Sequence, residues 1–356
     1  MNHSDEGEKD RGNRLREEVG RDAGPAAIAE MGDVKGMVLA AGFGTRMGPL
    51  SRLKPKPLLP ICGVPLIRFA LAQMADSGIG EVVVNLHHLG DQIRGELGEG
   101  LGLVEERKGK QGETGEQGEK KVDESTAEAG PYGLKLFYSE EKEVIQGTGG
   151  GVKKVSRFFG NKTFVVTNGK IVSGLELWRV IKFHKEMGAL ATMVVRPADD
   201  PYAWGAVECD AEGWVQSVAG VHRQKNGKIV ADRVPVRAFV FTGIHVLEPE
   251  FLDLLPEGPS CIVRDGYYKY LKQAGRIAGY VQREYWQDHS TPSRYLQGNL
   301  NVLHWESALY QNVDFPDFWG VDEGAEVSSR AAVIPPVRIC RGATVAAGAR
   351  IGPGAV

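Results

Sequence analysis

The chain has 356 residues, 42% of them hydrophobic, and a formal net charge of −3 at neutral pH. This length and hydrophobic content suffice for a full core and leave room for a second module. The slightly acidic balance, with no basic stripe, argues against a nucleic-acid partner. No segment approaches the roughly 18 apolar residues of a membrane span, and the N-terminus is charged, so we expect no membrane association and a cytoplasmic location. The four cysteines lack metal-binding or disulfide spacing and are expected to be reduced structural thiols: Cys62, Cys209, Cys261 and Cys340.

Three regions and one insertion differ in composition along the chain. Residues 1–33 are charged and glycine-rich, too polar to bury a core, and therefore predict disorder. From Lys35 onward, apolar strand-like segments alternate with helical ones, which predicts an α/β fold with a largely parallel sheet covered by helices. Residues 103–131 have no apolar period and predict a disordered surface insertion between two strands. The predicted strands are 37–41, 82–86, 134–138, 163–167 and 191–195, and the predicted helices include 65–78 and 174–187.

The first predicted strand runs into a glycine turn that carries positive charge. Gly42 and Gly44 follow the apolar run, Arg46 comes two residues later, and Lys56 follows after ten more. Glycines let the backbone approach a polyphosphate, and turn amides, a guanidinium and an ammonium supply donors and charge for it. This arrangement predicts a nucleotide site.

Other interpretations of this turn fit less well. A dinucleotide-binding fingerprint requires G-x-G-x-x-G, whereas the glycines here give G-x-G-x-x-x-G, and that fingerprint does not call for the two cations. A Walker A loop ends in Gly-Lys-Ser/Thr, which does not follow. A tight turn with solvated basic residues would explain a lone glycine pair. It does not explain why two basic residues occur within a segment rich in glycine and proline.

The segment L-A-A-G-F-G-T-R-M-G-P-L at 39–50, followed by P-K-P-L-L-P at 55–60, resembles the signature of the sugar-1-phosphate nucleotidyltransferases. Further segments fit the same family in the same order, so the resemblance covers roughly residues 34–312. It implies a Rossmann-like three-layer domain over 34–318. It also implies transfer of a nucleotidyl group from a nucleoside triphosphate to a sugar 1-phosphate, with release of pyrophosphate. The further segments are 84–89, 147–151, 241–246, 286–288 and 291–296.

The resemblance also implies roles for individual residues. Arg46 would hold the β- and γ-phosphates of the donor, and Lys56 would lie between the α-phosphate and the attacking phosphate. Residues 147–151 match the loop with which the family reads the base, and the form Gly149-Gly150-Gly151 resembles members that use GTP or UTP with mannose, heptose or N-acetylmuramate 1-phosphates. Asn85, His87 and His88 follow a predicted strand near the expected crevice, and we expect both histidines to be structural. The nucleotide would contact Ala40, Ala41, Gly42, Gly44, Thr45, Gly147, Thr148 and Gly149, whereas the sugar would contact Asn168, Gly205, Thr242 and Gly243.

One position departs from the family pattern. After the strand that ends at Asn168, the family places an aspartate that binds Mg²⁺, and this chain has Lys170; the usual partner aspartate is retained as Asp288. Mg²⁺ binding in the usual manner is therefore in doubt, because an ammonium removes an oxygen ligand and adds repulsion. Four alternatives stay open: Lys170 replaces the metal charge, Mg²⁺ arrives with the nucleotide and uses Asp288 alone, the chain is a regulatory subunit that binds nucleotide sugars, or Lys170 points out of the site.

The tail at 319–356 changes to a period of about six residues. Small and β-branched residues recur with glycines between them, which is typical of a left-handed parallel β-helix, a module that many family members carry. About two coils fit before Val356, fewer than a solenoid usually needs. Either the sequence is cut short or another subunit covers the exposed coil, and we therefore expect a homo-oligomer.

Overall fold

The computed structural model describes residues 33–101, 130–229, 235–304 and 318–356. The predicted disorder covers residues 1–33 and 103–131. Of these, residues 1–32 and 103–129 lie outside the described residues, whereas Pro131 begins the 3-10 turn Pro131–Gly133. No helix in the described part of the chain is long and apolar enough to span a membrane.

A mixed sheet of ten strands forms the centre of the fold. The strands lie in the order β3-β2-β1-β4-β9-β5-β10, and the first half of β9 also pairs with the meander β6-β7-β8. Of the seven strands β3-β2-β1-β4-β9-β5-β10, six run parallel to one another, and β9 runs antiparallel to its neighbours β4 and β5. In chain order the strands are β1 Lys35–Leu39, β2 Glu81–Leu86, β3 Lys135–Glu140, β4 Phe164–Asn168, β5 Ala191–Arg196, β6 Val207–Cys209, β7 Val215–Val218, β8 Val221–His222, β9 Arg237–Leu247 and β10 Ile277–Val281.

Helices cover both faces of the sheet. Along β1, Val38 packs in a core with α2, α3 and α6, whereas its neighbour Met37 packs in a second core with α4, α5 and α7. Successive side chains of a strand point to opposite faces, so these cores are the two sides of a three-layer α/β/α sandwich. The helices are α1 Leu50–Leu53, α2 Leu66–Asp76, α3 Gly90–Leu97, α4 Gly147–Lys154, α5 Ser156–Phe159, α6 Leu177–Met187, α7 Tyr268–Lys272 and α8 Pro292–Leu303; short 3-10 turns occur at Thr45–Met47, Lys56–Leu58, Pro131–Gly133, Tyr202–Trp204 and Pro249–Leu254, and a π-helix at Ile262–Tyr267.

Strand register aligns the carboxyl ends of three parallel strands. Leu39 of β1 lies opposite both Asn85 of β2 and Asn168 of β4. Ligands of open α/β sheets bind at this edge, so the register brings three distant segments together where a site is expected.

Three two-stranded ribbons lie beside the main sheet. The antiparallel ribbon of Ile171–Ser173 with Trp286–Asp288 carries the chain that follows β4 alongside the segment that precedes α8. Its register places Asp288 opposite Ile171, and so next to Lys170. The other two ribbons pair Pro60–Ile61 with Val64–Pro65, and Gln224–Lys225 with Lys228–Ile229.

The tail forms stacked parallel strands. Gly320 pairs with Arg338, Glu326 with Thr344, and Ala332 with Arg350, so one turn takes eighteen residues and contains three strands. Val337, Ile339 and Val345 are buried between the turns, and several alanines pack around them. The short strands are Gly320–Val321, Glu326–Val327, Ala332–Val333, Arg338–Ile339, Thr344–Val345 and Arg350–Ile351.

The α/β prediction is confirmed, with shifts of at most three residues at element ends. Ala40 and Ala41, predicted as the end of the first strand, lie beyond Leu39 in the turn that enters the cavity. The pattern of the sequence did not predict the long antiparallel strand β9.

Candidate active site

A cavity of about 270 Å³ opens at the carboxyl ends of β1, β2 and β4. It brings together ten of the predicted site residues from segments more than a hundred positions apart. Four further lining residues were not among those predictions: Leu39, Pro57, Asn85 and Ile145. The predicted residues are Ala40, Ala41, Gly42, Gly44, Arg46, Lys56, Gly147, Thr148, Asn168 and Lys170.

The glycine turn after β1 is fixed to the neighbouring strand by a buried amide side chain. The backbone N–H of Ala40 donates to Asn85 Oδ1 at 2.7 Å, and Asn85 Nδ2 donates to Glu141 Oε1 at 2.7 Å. Glu141 Oε2 accepts from the backbone N–H of Gln146 at 2.6 Å, directly before α4. Burial raises the pKa of Glu141, while its hydrogen bonds with Gln146 and Asn85 oppose that rise. Asn85 and Glu141 therefore join the two glycine segments that face each other across the cavity.

Lys56 is the most buried cation of the cavity, with 8% of its surface exposed. Burial, followed by the charges of Lys170 and Arg46, lowers the pKa of Lys56 to about 8. Gly44 turns the chain beside it with a positive φ of 68°, and a Cβ on Gly44 would lie 3.3 Å from Lys56 Cε. A cluster of three positively charged side chains in a partly desolvated cavity favours a polyanionic ligand.

The glycine run at 147–151 forms the start of helix α4, which corrects the expectation of a loop. Gly147 and Thr148 line the cavity, whereas Gly149 packs on the segment before the π-helix. A Cβ on Gly150 would lie 2.2 Å from the carbonyl oxygen of Gly258, so this glycine is required for backbone packing. Tertiary contact outweighs the poor helix propensity of glycine here.

Lys170 and Asp288 form an ion pair at the edge of the cavity. Lys170 Nζ donates to Asp288 Oδ2 at 2.6 Å and to Ser290 Oγ at 2.7 Å. Asp288 Oδ1 accepts from the backbone N–H of Ser290 at 2.9 Å, and Arg294 approaches it at 3.4 Å. Burial would raise the pKa of Asp288, but the charge of Lys170 and these hydrogen bonds lower it to about 2.

The donor set does not suit Mg²⁺. Among the residues that the structure describes, no Asp or Glu lines the cavity, and both oxygens of Asp288 already accept hydrogen bonds from the protein. The described residues contain no group of three or more His, Cys, Asp or Glu side chains that could hold a metal ion. Mg²⁺ requires several oxygen ligands in octahedral geometry, and the ammonium of Lys170 already occupies Asp288 Oδ2.

The residues predicted to contact the sugar are only partly brought together. Asn168 lines the cavity, and its Nδ2 donates to the carbonyl oxygen of Gly243 at 3.3 Å. Thr242 is buried and its hydroxyl donates to the carbonyl oxygen of Val194 at 2.7 Å, so that hydroxyl is already used within the protein. Gly205 lines a separate depression of about 290 Å³ beside Tyr202. Thr45 does not line the main cavity; it begins the 3-10 turn that carries Arg46.

Residues 35–304 match the family of nucleotidyl transferases. The chain belongs to this family. It is 28% identical to mannose-1-phosphate guanylyltransferase of Mycobacterium tuberculosis, over 90% of this chain and 77% of that protein. It is 26% identical to UTP–glucose-1-phosphate uridylyltransferase of Synechocystis, over 90% and 85%. Among solved structures, UDP-glucose pyrophosphorylase of Acinetobacter baumannii shares the fold with a TM-score of 0.56 at 16% identity, over 77% of this chain and 95% of that one. HddC of Yersinia pseudotuberculosis shares it with a TM-score of 0.53 at 18% identity, over 75% and 98%.

Two histidines of this nucleotidyltransferase lie close to the glycine turn. His87 Nδ1 contacts the carbonyl oxygen of Glu141, and His88 Nε2 contacts that of Ser51 at 2.7 Å. The ring of Phe43 packs on both. These contacts hold the turn in place and agree with a structural role.

Sequence reasoning missed the supporting residues of the site. Asn85 was placed near the crevice without a role, and Glu141, Ser290 and Arg294 were given none. A polar residue among the buried positions at the end of an apolar strand is a usable signal, and Asn85, which comes just before the buried Leu86, carries it. The contacts of Ser290 and Arg294 depend on the ribbon that positions Asp288, and no local pattern marks them.

Proposed function

We propose that this chain transfers a nucleoside monophosphate from a nucleoside triphosphate to a sugar 1-phosphate. The single observation that supports this best is the cavity itself, in which the glycine turn, Arg46 and Lys56 face the N-terminal end of α4. A phosphate oxygen of the sugar phosphate attacks the α-phosphorus and forms the new P–O bond. The bond from that phosphorus to the bridging oxygen breaks, and pyrophosphate leaves with the electron pair.

The cavity suggests how the donor lies. Arg46 and the backbone amides of Gly42 and Gly44 would bind the β- and γ-phosphates, and Lys56 would bind the α-phosphate. The base then lies against Gly147 and Thr148, with Gly149 behind them in the helix. Asn168 would meet the sugar directly, and Thr242 and Gly243 would shape its surroundings through the backbone. Gly205 lines the separate depression beside Tyr202 and has no part in this arrangement.

Such a transfer needs little proton movement. It requires two polyanions held in line and positive charge placed where negative charge builds on the transferred phosphoryl group. A partly desolvated Lys56 beside Arg46 and Lys170 meets that requirement, because fixed charges act strongly where water is excluded.

We favour GTP or UTP as the donor. The relatives in M. tuberculosis and Synechocystis are named for guanylyl and uridylyl transfer, to mannose 1-phosphate and glucose 1-phosphate respectively. These two hexose phosphates are the first acceptors to test.

A second function, a regulatory subunit that binds nucleotide sugars without forming them, is favoured by one observation. Asp288, the residue proposed as the metal ligand, is occupied by Lys170. The intact Arg46 and Lys56 place the working transferase first.

The remaining proposals concern organisation. Residues 34–318 would form the catalytic domain, and 319–356 a left-handed β-helix that contributes to a homo-oligomer. Exposed apolar residues at its start, Trp319 and Val321, support such an interface. A cytoplasmic location is consistent with four free cysteines.

The test is a panel of five nucleoside triphosphates, the four ribonucleotides and dTTP, against several sugar 1-phosphates, read as nucleotide sugar formed. Arg46→Ala should lower kcat on the order of a hundredfold, because it removes charge that stabilises the transition state. Arg52→Ala, at an exposed arginine of α1, is the matched control and should retain parental activity. Absence of product with every pair, or equal rates in Arg46→Ala and Arg52→Ala, would contradict the proposal.

A further inference from the structure

We propose that the ammonium of Lys170 supplies the positive charge that a divalent cation would otherwise bring, so that this chain transfers nucleotidyl groups without a metal. The inference rests on the proposed function.

Lys170 is held as a fixed point charge rather than a flexible surface lysine. It lies two residues beyond the end of β4, after Gly169, whose backbone N–H donates to the carbonyl oxygen of Leu39 at 3.0 Å. Its Nζ has two anchors, Asp288 at 2.6 Å and Ser290 at 2.7 Å, and its side chain is 26% exposed where it lines the cavity. A lysine that points away into solvent would have neither anchor.

The environment of Asp288 favours an ammonium over a divalent ion. Oδ2 accepts from Lys170, while Oδ1 accepts from the backbone N–H of Ser290 and lies 3.4 Å from Arg294. A divalent ion on this carboxylate would have to displace Lys170 and would then lie beside its charge. An ammonium, in contrast, is satisfied by the two anchors and still has a third N–H donor for a phosphate oxygen.

The charge of the cavity fits a polyanion without a metal. Three lining residues carry positive charge, Arg46, Lys56 and Lys170, and Asp288 is the one carboxylate paired with them among the described residues. The excess positive charge faces the phosphates of the donor and acceptor. In the transfer, Lys170 would stabilise charge on the non-bridging oxygens of the α-phosphoryl group while the new P–O bond forms and the bond to pyrophosphate breaks.

The experiment compares four proteins, the parent, Lys170→Ala, Lys170→Asp and Lys182→Ala, each in excess EDTA and in Mg²⁺. Lys182 is an exposed lysine of α6, 3.9 Å from Glu186, and serves as the matched control. Product is separated by ion-exchange chromatography, because coupled pyrophosphatase assays themselves need a metal. GTP and UTP binding in EDTA is measured in parallel by calorimetry.

The parent and Lys182→Ala should keep their rate within about threefold when Mg²⁺ is replaced by EDTA. Lys170→Ala should lose on the order of a hundredfold in EDTA and bind the donor nucleotide about tenfold more weakly there. Lys170→Asp should be inactive in EDTA and gain activity with Mg²⁺, because it restores a pair of carboxylates.

Parental activity that requires Mg²⁺ overturns the inference and leaves the proposed function standing. Equal rates and equal nucleotide binding in the parent and Lys170→Ala overturn it as well. A parent without activity in either buffer contradicts both, and activity created by Lys170→Asp in such a background would favour the regulatory subunit.

Discussion

Asn85→Ala tests whether the buried amide between β1 and α4 organises the cavity. Asn85 is 2% exposed, its Oδ1 accepts from Ala40 N, and its Nδ2 donates to Glu141, both at 2.7 Å. Alanine keeps the strand but removes both partners. A backbone N–H and a carboxylate oxygen are then left buried at the entrance to the cavity.

The expected loss follows from those two groups. An unsatisfied buried N–H costs about 1–3 kcal/mol, and a lost hydrogen bond to a charged carboxylate costs about 1.5–3 kcal/mol. We expect a decrease of about 3–5 kcal/mol in the free energy of unfolding. For a chain of this size, this corresponds to a fall of roughly 4–7 °C in Tm.

The assay is urea denaturation with the matched control Asn161→Ala, at an exposed position with little expected effect. Asn85→Asp adds a pH test. The variant keeps an acceptor for the N–H of Ala40, but it places a second carboxylate against that of Glu141. It should therefore be less stable at alkaline pH and regain stability in mild acid, where the two carboxylates can share one proton. Since burial already raises the pKa of Glu141, protonation is the favourable way to relieve this repulsion. Unchanged stability in Asn85→Ala, or pH-independent stability in Asn85→Asp, would refute the reasoning.

Three further predictions concern packing, charge and assembly. Gly150→Ala should destabilise the fold by about 2 kcal/mol or more, since its Cβ would lie 2.2 Å from a backbone oxygen. The control is Gly95→Ala in α3, whose Cβ would meet nothing within 4 Å and which should be neutral or stabilising. Thermal unfolding of the two variants compares their stability. Burial and then the charge of Lys170 lower the pKa of Lys56 to about 8, and deprotonation removes its positive charge. Nucleotide affinity should therefore fall as pH rises through about 8, and a kcat/KM profile that does not decrease above this pH would contradict the prediction. Trp319→Asp should weaken self-association measured by light scattering, since this tryptophan is 64% exposed, and a parent that is already monomeric at high concentration would exclude the interface.

The parallel part of the sheet was predictable because its strands are buried on both faces. Met37 and Val38 are fully buried in opposite cores, so the strand appears in the sequence as a continuous apolar run. The antiparallel strand β9 gave no such signal. Gly243 has a positive φ of 83° within it, and the register against β5 breaks between Phe241 and His245. The apolar pattern is therefore interrupted where the strand continues.

The site was predictable where one local motif carries it, and less so where distant segments meet. Arg46 and Lys56 lie in a single punctuated stretch, and the structure places both in one cavity. The glycine run of α4 was misjudged because glycine disfavours helices, and only its close approach to Gly258 explains why it is helical. The anchors of Lys170 lie 118 and 120 positions away. The family resemblance pointed to Asp288, whereas the structure was needed to find Ser290.

The most direct test of the central claim uses GTP or UTP labelled at the α-phosphate, with mannose or glucose 1-phosphate as acceptor, and measures which product carries the label. A nucleotidyltransferase that uses this cavity should deliver the label to the nucleotide sugar, and Arg46→Ala should lower that yield on the order of a hundredfold. Label that stays in the nucleoside triphosphate, or that appears in a free nucleotide without any nucleotide sugar, would contradict the account.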